Sequence, residues 1–380
     1  MKVTYITMQF LAASETFARS DVKALERLGV DVTVHSLKGR NQIGNGSYHV
    51  TISEFLKSIY GIFSNPLLFS KLISWLIKNE WRRPSKLFAA LYLVPRAFSI
   101  FSALKKSNPD VVHLFWGHYP SIVGYLVYKS NMNTKLSMFL GAYDLEMKLN
   151  FSLDLARKLE HVFTHAYCNR NRILKLCNSL CDVTVIHRGV DVDFLRSFSN
   201  KEKDPNLWVT GGRLIRDKRF DKVLLIFKEY SNKNPAARLV IAGDGPEEER
   251  LKEMSIQLGV SKSVQFSGFL PQSELFKTLS ASSAFLFLSE KPGERLPNIV
   301  KEAMFFENCC YVSETPGIEE LIDNNQDGII IGNEKKFDNS VAALTPQDYL
   351  TIGRRAKNKI VSNFDVNVQM KKYIEVWDSL

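Results

Sequence analysis

Short apolar segments with strand patterns alternate with helical segments along the whole chain, and this alternation restricts the possible folds more than any other feature. In the first half, strands are predicted at residues 3–8, 30–36, 111–115, 135–140 and 183–186, with a helix at 16–28 between the first two. Strands that are linked by helices form parallel sheets, which collect ligands at the carboxyl ends of their strands. The first half is therefore predicted to be an α/β domain.

A second series of strands follows a polar segment at residues 197–206, which is poor in large apolar side chains and is interpreted as a linker. The strands of this series are predicted at residues 208–210, 238–242, 264–266, 284–288, 310–312 and 329–331. A length of 380 residues also favours two domains. Two Rossmann-like domains in tandem, at 1–196 and 207–360, would face a central cleft, and a helix at 361–380 is expected to cross back to the first.

Composition excludes several classes of protein. Hydrophobic residues make up 45% of the chain and charged residues 24%, so a tail, a linker or a fibre is excluded. No apolar run approaches the roughly 18 residues of a membrane span, and the first residues have a strand pattern, so a cytoplasmic protein is expected. The five cysteines have no framework spacing and are expected to be reduced thiols.

The net positive charge comes entirely from the first half of the chain. The formal net charge is +10, and residues 1–195 account for all of it. Within residues 55–106, nine Lys or Arg accompany a single acid, Glu80, and many apolar side chains that include Trp75 and Trp81. This composition is typical of a surface that lies on an anionic bilayer. Core helices and ordinary solvated charge are the alternatives.

An acidic pair stands in the second half, in a segment that begins at Gly293. Pro297 suits the first position of a helix, so Glu294 is predicted in the loop before that helix and Glu302 about a turn inside it. The N-terminus of a helix is a natural site for a diphosphate, and carboxylates on either side can accept hydrogen bonds from hydroxyl groups. Two glutamates near a helix start can equally form a solvated cap.

A basic pair is predicted at the same sheet edge. Arg213 and Lys218 follow the first strand of the second domain, where they could neutralise an anion that is held at the helix terminus. Two glycine turns, one containing Gly243 and one before Phe269 and Leu270, end further strands. Surface charge is the alternative for the basic pair, and glycine turns after strands are common.

In this order, the motifs resemble those of the retaining glycosyltransferases of family four, which have the two-domain GT-B fold, and are similar to those of bacterial surface-polysaccharide enzymes. The resemblance covers nearly the whole chain. It includes Gly189-Val190-Asp191 and the stretch from Glu319 to Gly328. It implies transfer of a sugar from a nucleotide-diphosphate sugar, with UDP favoured and GDP possible, with no cofactor and no metal.

The resemblance also implies roles for individual residues. Arg213 and Lys218 would bind the diphosphate, Glu294 the hydroxyls of the donor sugar and Glu302 the ribose; Arg213, Lys218 and Glu294 would be the catalytic residues. The other implied donor-binding residues are Gly243, Phe269, Leu270, Leu296, Pro297, Asn298 and Ile299. The first domain would bind the acceptor.

The acceptor side departs from the family pattern. Ser14 and Glu15 follow the first strand, and His113, His118 and Asp144 are further candidates, although a lone histidine is often structural. The histidine that many relatives have before Tyr-Asp is Gly141 here, which puts a histidine-centred role at that position in doubt. Arg295 stands in place of the usual glycine after the first acid, and its role is open.

The leading hypothesis is a peripheral-membrane glycosyltransferase at the inner face of the membrane that extends a lipid-linked glycan. An anionic membrane surface is an expected partner, and nucleic acid is not. The alternatives are a GT-B nucleotide-sugar epimerase or phosphorylase, and a non-catalytic membrane-binding protein with a degenerate site.

Overall fold

The computed structural model describes residues 1–10, 16–38, 60–130, 132–178, 180–199, 202–291, 294–332 and 344–379. They form two compact units, one of Met1–Arg188 with Gln369–Leu380 and one of Gly189–Val368. The first unit thus ends at Arg188 rather than at the predicted residue 196. Val192–Arg196 (α8) belongs to the second unit, and Asp191 caps it by accepting a hydrogen bond from the Phe194 amide.

The first unit contains a parallel sheet of six strands among its described residues. The strands are Lys2–Thr7 (β1), Asp31–Ser36 (β2), Val111–Phe115 (β3), Lys135–Phe139 (β4), His161–Thr164 (β5) and Asp182–Val185 (β6). Their spatial order is β2-β1-β3-β4-β5-β6, so the order reverses direction between β1 and β3. β5 is missing from the predicted strands.

Helices cover the first sheet. They are Thr16–Arg27 (α1), Pro66–Glu80 (α2), Pro84–Ser107 (α3), Ser121–Lys129 (α4), Ala142–Met147 (α5), Asn150–Ala156 (α6) and Tyr167–Leu176 (α7). Proline begins both α2 and α3, where its missing N–H would have no partner within the helix. Among the described helices, α3 alone has the length and apolar composition to cross a membrane, a test that core helices also pass. Eight of its residues, from Ala90 to Leu104, are buried in the core of the unit.

The second unit repeats this architecture. Its strands are Asp204–Gly211 (β7), Arg238–Ala242 (β8), Val264–Gly268 (β9), Ser282–Phe287 (β10), Cys309–Ser313 (β11) and Ile329–Ile331 (β12). Its helices are α8, Phe220–Lys233 (α9), Glu248–Gln257 (α10), Gln272–Ala281 (α11), Asn298–Phe305 (α12) and Pro346–Asn363 (α13). The strand order is β12-β11-β10-β7-β8-β9, with the reversal between β7 and β10.

The linker prediction for residues 197–206 is wrong at its C-terminal end. β7 already begins at Asp204, which pairs with Ser282 of β10 and forms a salt bridge with Arg238 of β8. Just before the strand, the Lys203 ammonium donates hydrogen bonds to the carbonyls of Leu279 and Ser282, and burial lowers its pKa to about 7. Sheet pairing therefore overrides the polar composition.

The chain ends in the helix Val366–Ser379 (α14), of which the part from Gln369 onward groups with the first unit. Trp377 in this helix is fully buried against Tyr5 and His113, and its indole N–H donates to Ser137 at 3.0 Å. A C-terminal helix was predicted at 361–380; the structure places α14 within that range and ends α13 at Asn363.

Candidate active site

The candidate site of the second unit lies at the carboxyl ends of β7 and β10. These neighbouring strands flank the point where the strand order reverses, and loops at such a point diverge to leave a crevice that binds ligands. Lys218 lies in a 3₁₀ turn after β7, and Glu294 follows β10. Their side chains form a salt bridge across 76 residues of sequence. The Lys218 ammonium also lies 4.5 Å from the centre of the Phe287 ring.

Backbone packing holds the neighbouring strand ends together. The Gly212 amide donates to Ala242 at 2.9 Å, and the Gly243 amide donates to Gly268 at 2.7 Å, so the loops after β7, β8 and β9 are linked. Gly243 has φ of +145°, and a Cβ atom on it would lie only 1.9 Å from the Gly212 carbonyl oxygen. This close approach requires glycine at position 243.

A strained loop leads from Glu294 into α12. Leu296 has φ of +48°, a left-handed conformation that is uncommon in residues other than glycine, and its side chain is buried. Pro297 precedes the helix, which begins at Asn298, one residue later than predicted. Ile299 packs at the end of β7, where its Cδ1 lies 3.2 Å from the position that a Cβ of Gly211 would take. The start of α12 is thus fixed against the end of β7.

The polar groups of this loop are only partly satisfied. In the described part of the chain, the Glu294 Oε2 atom and the Arg295 Nε atom are both buried without a hydrogen-bond partner. Arg295 Nη1 donates to the Glu294 carbonyl at 3.0 Å. Inside the helix, burial raises the pKa of Glu302 to about 7, an effect that the neighbouring Lys301 charge opposes.

The remaining predicted donor-side residues lie at the same sheet edge. Arg213 is exposed directly after β7, while Phe269 and Leu270 follow β9. Phe269 is 74% exposed, so its ring is available to a ligand. Of the predicted residues, the structure brings Lys218 and Glu294 into direct contact and leaves Arg213 and Phe269 open to solvent.

Comparison with known families identifies this unit. Residues 191–351 match the family described as glycosyl transferases group 1. The second unit is thus similar to group 1 glycosyl transferases. The matched range includes both sides of the Lys218–Glu294 pair, and the resemblance inferred from the sequence is confirmed.

Known glycosyl transferases also resemble the chain beyond this domain. A Haemophilus influenzae glycosyltransferase of uncharacterized activity is 24% identical over 392 residues, which cover 100% of this chain and 99% of that protein. The lipopolysaccharide core biosynthesis glycosyltransferase LpsD of Rhizobium meliloti is 28% identical over 120 residues, 32% of this chain and 33% of LpsD. Anabaena HepE, solved in complex with UDP, matches with a TM-score of 0.67 and 14% identity over 100% of both chains. The predicted GT-B fold class is confirmed by this likeness and by the two parallel sheets.

In the first unit, His113 lies in the core and not on an acceptor surface. It is buried between aromatic side chains, its Nδ1 lies 2.8 Å from the Ser137 hydroxyl, and burial lowers its pKa to about 3. The prediction that His113 is an acceptor-side residue is corrected accordingly. Ser14 and Glu15 lie outside the described residues.

His118 and Asp144 follow β3 and β4, at the carboxyl edge of the first sheet. His118 Nδ1 accepts a hydrogen bond from the Tyr119 amide at 2.8 Å, and burial lowers its pKa to about 4. Burial raises the pKa of Asp144 to about 7, against the opposing effects of the Gly141 amide and the Arg188 charge. Both side chains are buried, so they can reach a ligand only through a small exposed surface.

Trp116 occupies the space beside Gly141, the position at which the family resemblance implies a histidine. A Cβ atom on Gly141 would lie 2.4 Å from Cζ3 of Trp116, so the indole ring fills the space that a side chain at 141 needs. Trp116 has φ of +66°, and the Arg188 guanidinium lies 4.5 Å from its ring centre and 4.6 Å from that of Phe139. Sequence reasoning missed Trp116 and Arg188, although a tryptophan directly after a buried strand was the available signal.

Proposed function

We propose that this protein is a retaining, metal-independent glycosyltransferase that uses a nucleotide-diphosphate sugar, with UDP favoured as the carrier and GDP as the alternative. The acceptor is a lipid-linked glycan in the biosynthesis of a bacterial surface polysaccharide such as O-antigen, capsule or exopolysaccharide. The observation that carries the proposal is the Lys218–Glu294 pair at the strand reversal of a group 1 domain. The names of HepE with UDP and of LpsD support the donor and the pathway.

The leaving group is the negative charge that this site has to stabilise. When the bond between the anomeric carbon and the phosphate oxygen breaks, charge develops on the diphosphate. Lys218, Arg213 and the N-terminus of α12 are cationic or carry positive partial charge at one sheet edge. They offer the leaving diphosphate an electrostatic partner, so the proposed reaction does not require a metal.

The anomeric configuration of the sugar is retained when the acceptor attacks the anomeric carbon from the same face that the phosphate leaves. The acceptor oxygen forms the new bond to the anomeric carbon, and its proton passes to the departing phosphate oxygen. Glu294 accepts hydrogen bonds from the donor sugar, and Glu302 accepts them from the ribose. Because burial holds Glu302 partly protonated near neutral pH, its hydrogen bonds to ribose hydroxyls strengthen as it ionises.

A membrane surface is proposed on the first unit, at its α2–α3 hairpin. Trp81, Phe88 and Tyr92, here called the aromatic surface, are 61%, 70% and 78% exposed, and Arg82 stacks on Trp81 at 4.9 Å. Arg96 of α3 donates to the Ser36 carbonyl at the carboxyl end of β2, so the N-terminal half of α3 extends past that edge. Exposed aromatics beside cations suit the interface of an anionic bilayer.

Trp75 does not belong to this surface. It is buried, its ring stacks on Tyr125 at 4.1 Å, and its indole N–H donates to Asp154 at 2.6 Å. The predicted interfacial pair is thus divided, since Trp75 is a core residue and Trp81 is exposed. The protein is proposed to be cytoplasmic and peripheral at the inner face of the membrane.

The test is a thermal-shift panel of UDP, GDP, ADP and their sugars, followed by product analysis with the stabilising donor and lipid-linked glycan acceptors. Binding raises the apparent stability, so the panel identifies the nucleotide. Release of free nucleotide only when acceptor is present, with and without EDTA, supports transfer. An isomerised nucleotide sugar, or turnover that depends on inorganic phosphate, would instead identify an epimerase or a phosphorylase.

A further inference from the structure

Two buried polar groups of opposite kind stand side by side in the loop before α12. Glu294 Oε2 is an acceptor and Arg295 Nε a donor, and neither has a hydrogen-bond partner among the described residues. The other carboxylate oxygen of Glu294 is taken by Lys218, and Arg295 Nη1 is taken by the Glu294 carbonyl. Each side chain is therefore held in place by one atom and leaves another unsatisfied.

Such groups are exceptions in folded proteins, because more than about 90% of buried polar groups have a partner. An unsatisfied charged group is the costlier kind, since its desolvation is not compensated. The strained Leu296 follows directly, so strain and unsatisfied polarity coincide in three consecutive residues. This combination indicates a loop that is preorganised for a ligand.

The two groups differ in what they can bind. The free Glu294 oxygen accepts from hydroxyl groups, which every sugar has. Arg295 only donates, carries a permanent charge, and forms no salt bridge within the described part of the chain. Its planar guanidinium matches a carboxylate, with two parallel N–H donors for two oxygens.

We propose that Arg295 binds a carboxylate on the donor sugar, so that the donor is a nucleotide-diphosphate uronic acid rather than a neutral hexose. This inference rests on the proposed function, in which Glu294 faces the sugar. The bond from Arg295 Nη1 to the Glu294 carbonyl keeps the guanidinium beside that sugar-facing residue. Lys218, Arg213 and the N-terminus of α12 already serve the diphosphate, which leaves the charge of Arg295 for another anionic group.

The experiment is calorimetric titration of the full chain with UDP, UDP-glucose, UDP-galactose, UDP-glucuronate and UDP-galacturonate. Wild type, Arg295→Gln, Arg295→Gly and Lys291→Gln are compared. Lys291 is an exposed cation of the segment after β10, so its variant removes the same charge nearby. If the thermal-shift panel selects guanosine, GDP, GDP-mannose and GDP-mannuronate replace the uridine set.

We expect wild type to bind a uronate donor at least about 10-fold more tightly than the matching hexose, as for a charge-assisted hydrogen bond. Both Arg295 variants should lose this preference while they bind free UDP normally, and Lys291→Gln should retain it. Normal melting temperatures establish that the variants are folded.

Equal or stronger binding of the hexoses by wild type overturns the inference and leaves the proposed function intact. A parallel loss of affinity for free UDP in both Arg295 variants also overturns it, because Arg295 would then contact the diphosphate. If folded wild type binds no nucleotide or nucleotide sugar at all, the proposed function itself fails.

Discussion

Lys218 and Glu294 neutralise each other in their salt bridge, and this pairing fixes the position of the Lys218 ammonium. Lys218 is only 13% exposed in its side chain, and Phe287 lies beneath it, so its ammonium has little freedom to move away. A diphosphate therefore reaches a cation that is already oriented. Positioned charges of this kind stabilise a developing anion without reorganisation at the moment of reaction.

Lys218→Ala and Arg213→Ala should each lower turnover by about 10²-fold or more, because the leaving group loses one of its cations. Steady-state rates with saturating donor measure this effect. Lys252→Ala, which removes an exposed lysine of α10, serves as the control and should keep the wild-type rate. Near-normal rates in both site variants would show that these cations do not act on the leaving group.

Substitution of Glu294 and substitution of Glu302 should affect different steps, namely sugar transfer and nucleotide binding. Glu294→Ala is expected to impair transfer more than the binding of free nucleotide, because the proposal places it at the sugar. Glu302→Ala should weaken nucleotide binding itself. Calorimetry with UDP or GDP measures both, and the reverse pattern would exchange the two roles.

Asp144 should make stability depend on pH. Burial raises its pKa from an ordinary 3.8 to about 7, so the folded chain binds this proton more tightly than the unfolded chain does. The stabilisation is fully present below about pH 4 and is lost as the pH rises through about 7. The melting temperature of wild type minus that of Asp144→Asn should therefore fall between pH 4 and pH 8. Glu249→Gln, which changes an exposed carboxylate of α10, is measured alongside for comparison.

At the scale of elements, the sequence predicted those helices and strands that are specified by residues close together in the chain. The spacing of Glu294, Pro297 and Glu302 predicted a loop followed by a helix, and α12 begins within one residue of the expected place. Strand boundaries, side-chain burial and contacts that depend on packing between distant segments were not predicted. Asp204, at the polar start of β7, is paired with Arg238 of the neighbouring strand β8. The sequence pattern of the helices also does not show that Trp75 is buried and Trp81 is exposed. Likewise, Trp116 and Gly141 meet only because β3 and β4 are adjacent.

The α2–α3 hairpin carries the membrane prediction. Arg83 pairs with Glu80, and Lys86 donates to the Met147 carbonyl, so these two cations serve the fold and should be left intact. Sedimentation with anionic vesicles should fall steeply as salt rises through physiological strength, since exposed charges are then screened.

A variant with the aromatic surface changed to alanine, and with Lys78 and Arg82 changed to glutamate, should no longer sediment yet should still bind nucleotide. The control changes Tyr167 and Leu180, which are 57% and 67% exposed elsewhere on the unit, to serine. Equal sedimentation of the two variants would assign no role to the hairpin.

On the scale of the whole molecule, charge and chemistry are divided along the chain. Residues 1–195 hold the entire net charge of +10, while the proposed donor site lies in a segment that is neutral overall. Long-range attraction to an anionic surface therefore acts on the part of the chain that is proposed to receive the acceptor.

The contact between Trp116 and Gly141 has a consequence for how such enzymes diverge. Histidine introduced at 141 alone would collide with the indole ring, so we expect Gly141→His to lose stability and activity. Trp116→Gly removes this collision, and glycine adopts the φ of +66° without strain. The double variant should then be more stable than Gly141→His alone. The two positions are thus an epistatic pair, in which the order of substitution decides whether a histidine at 141 can be accommodated.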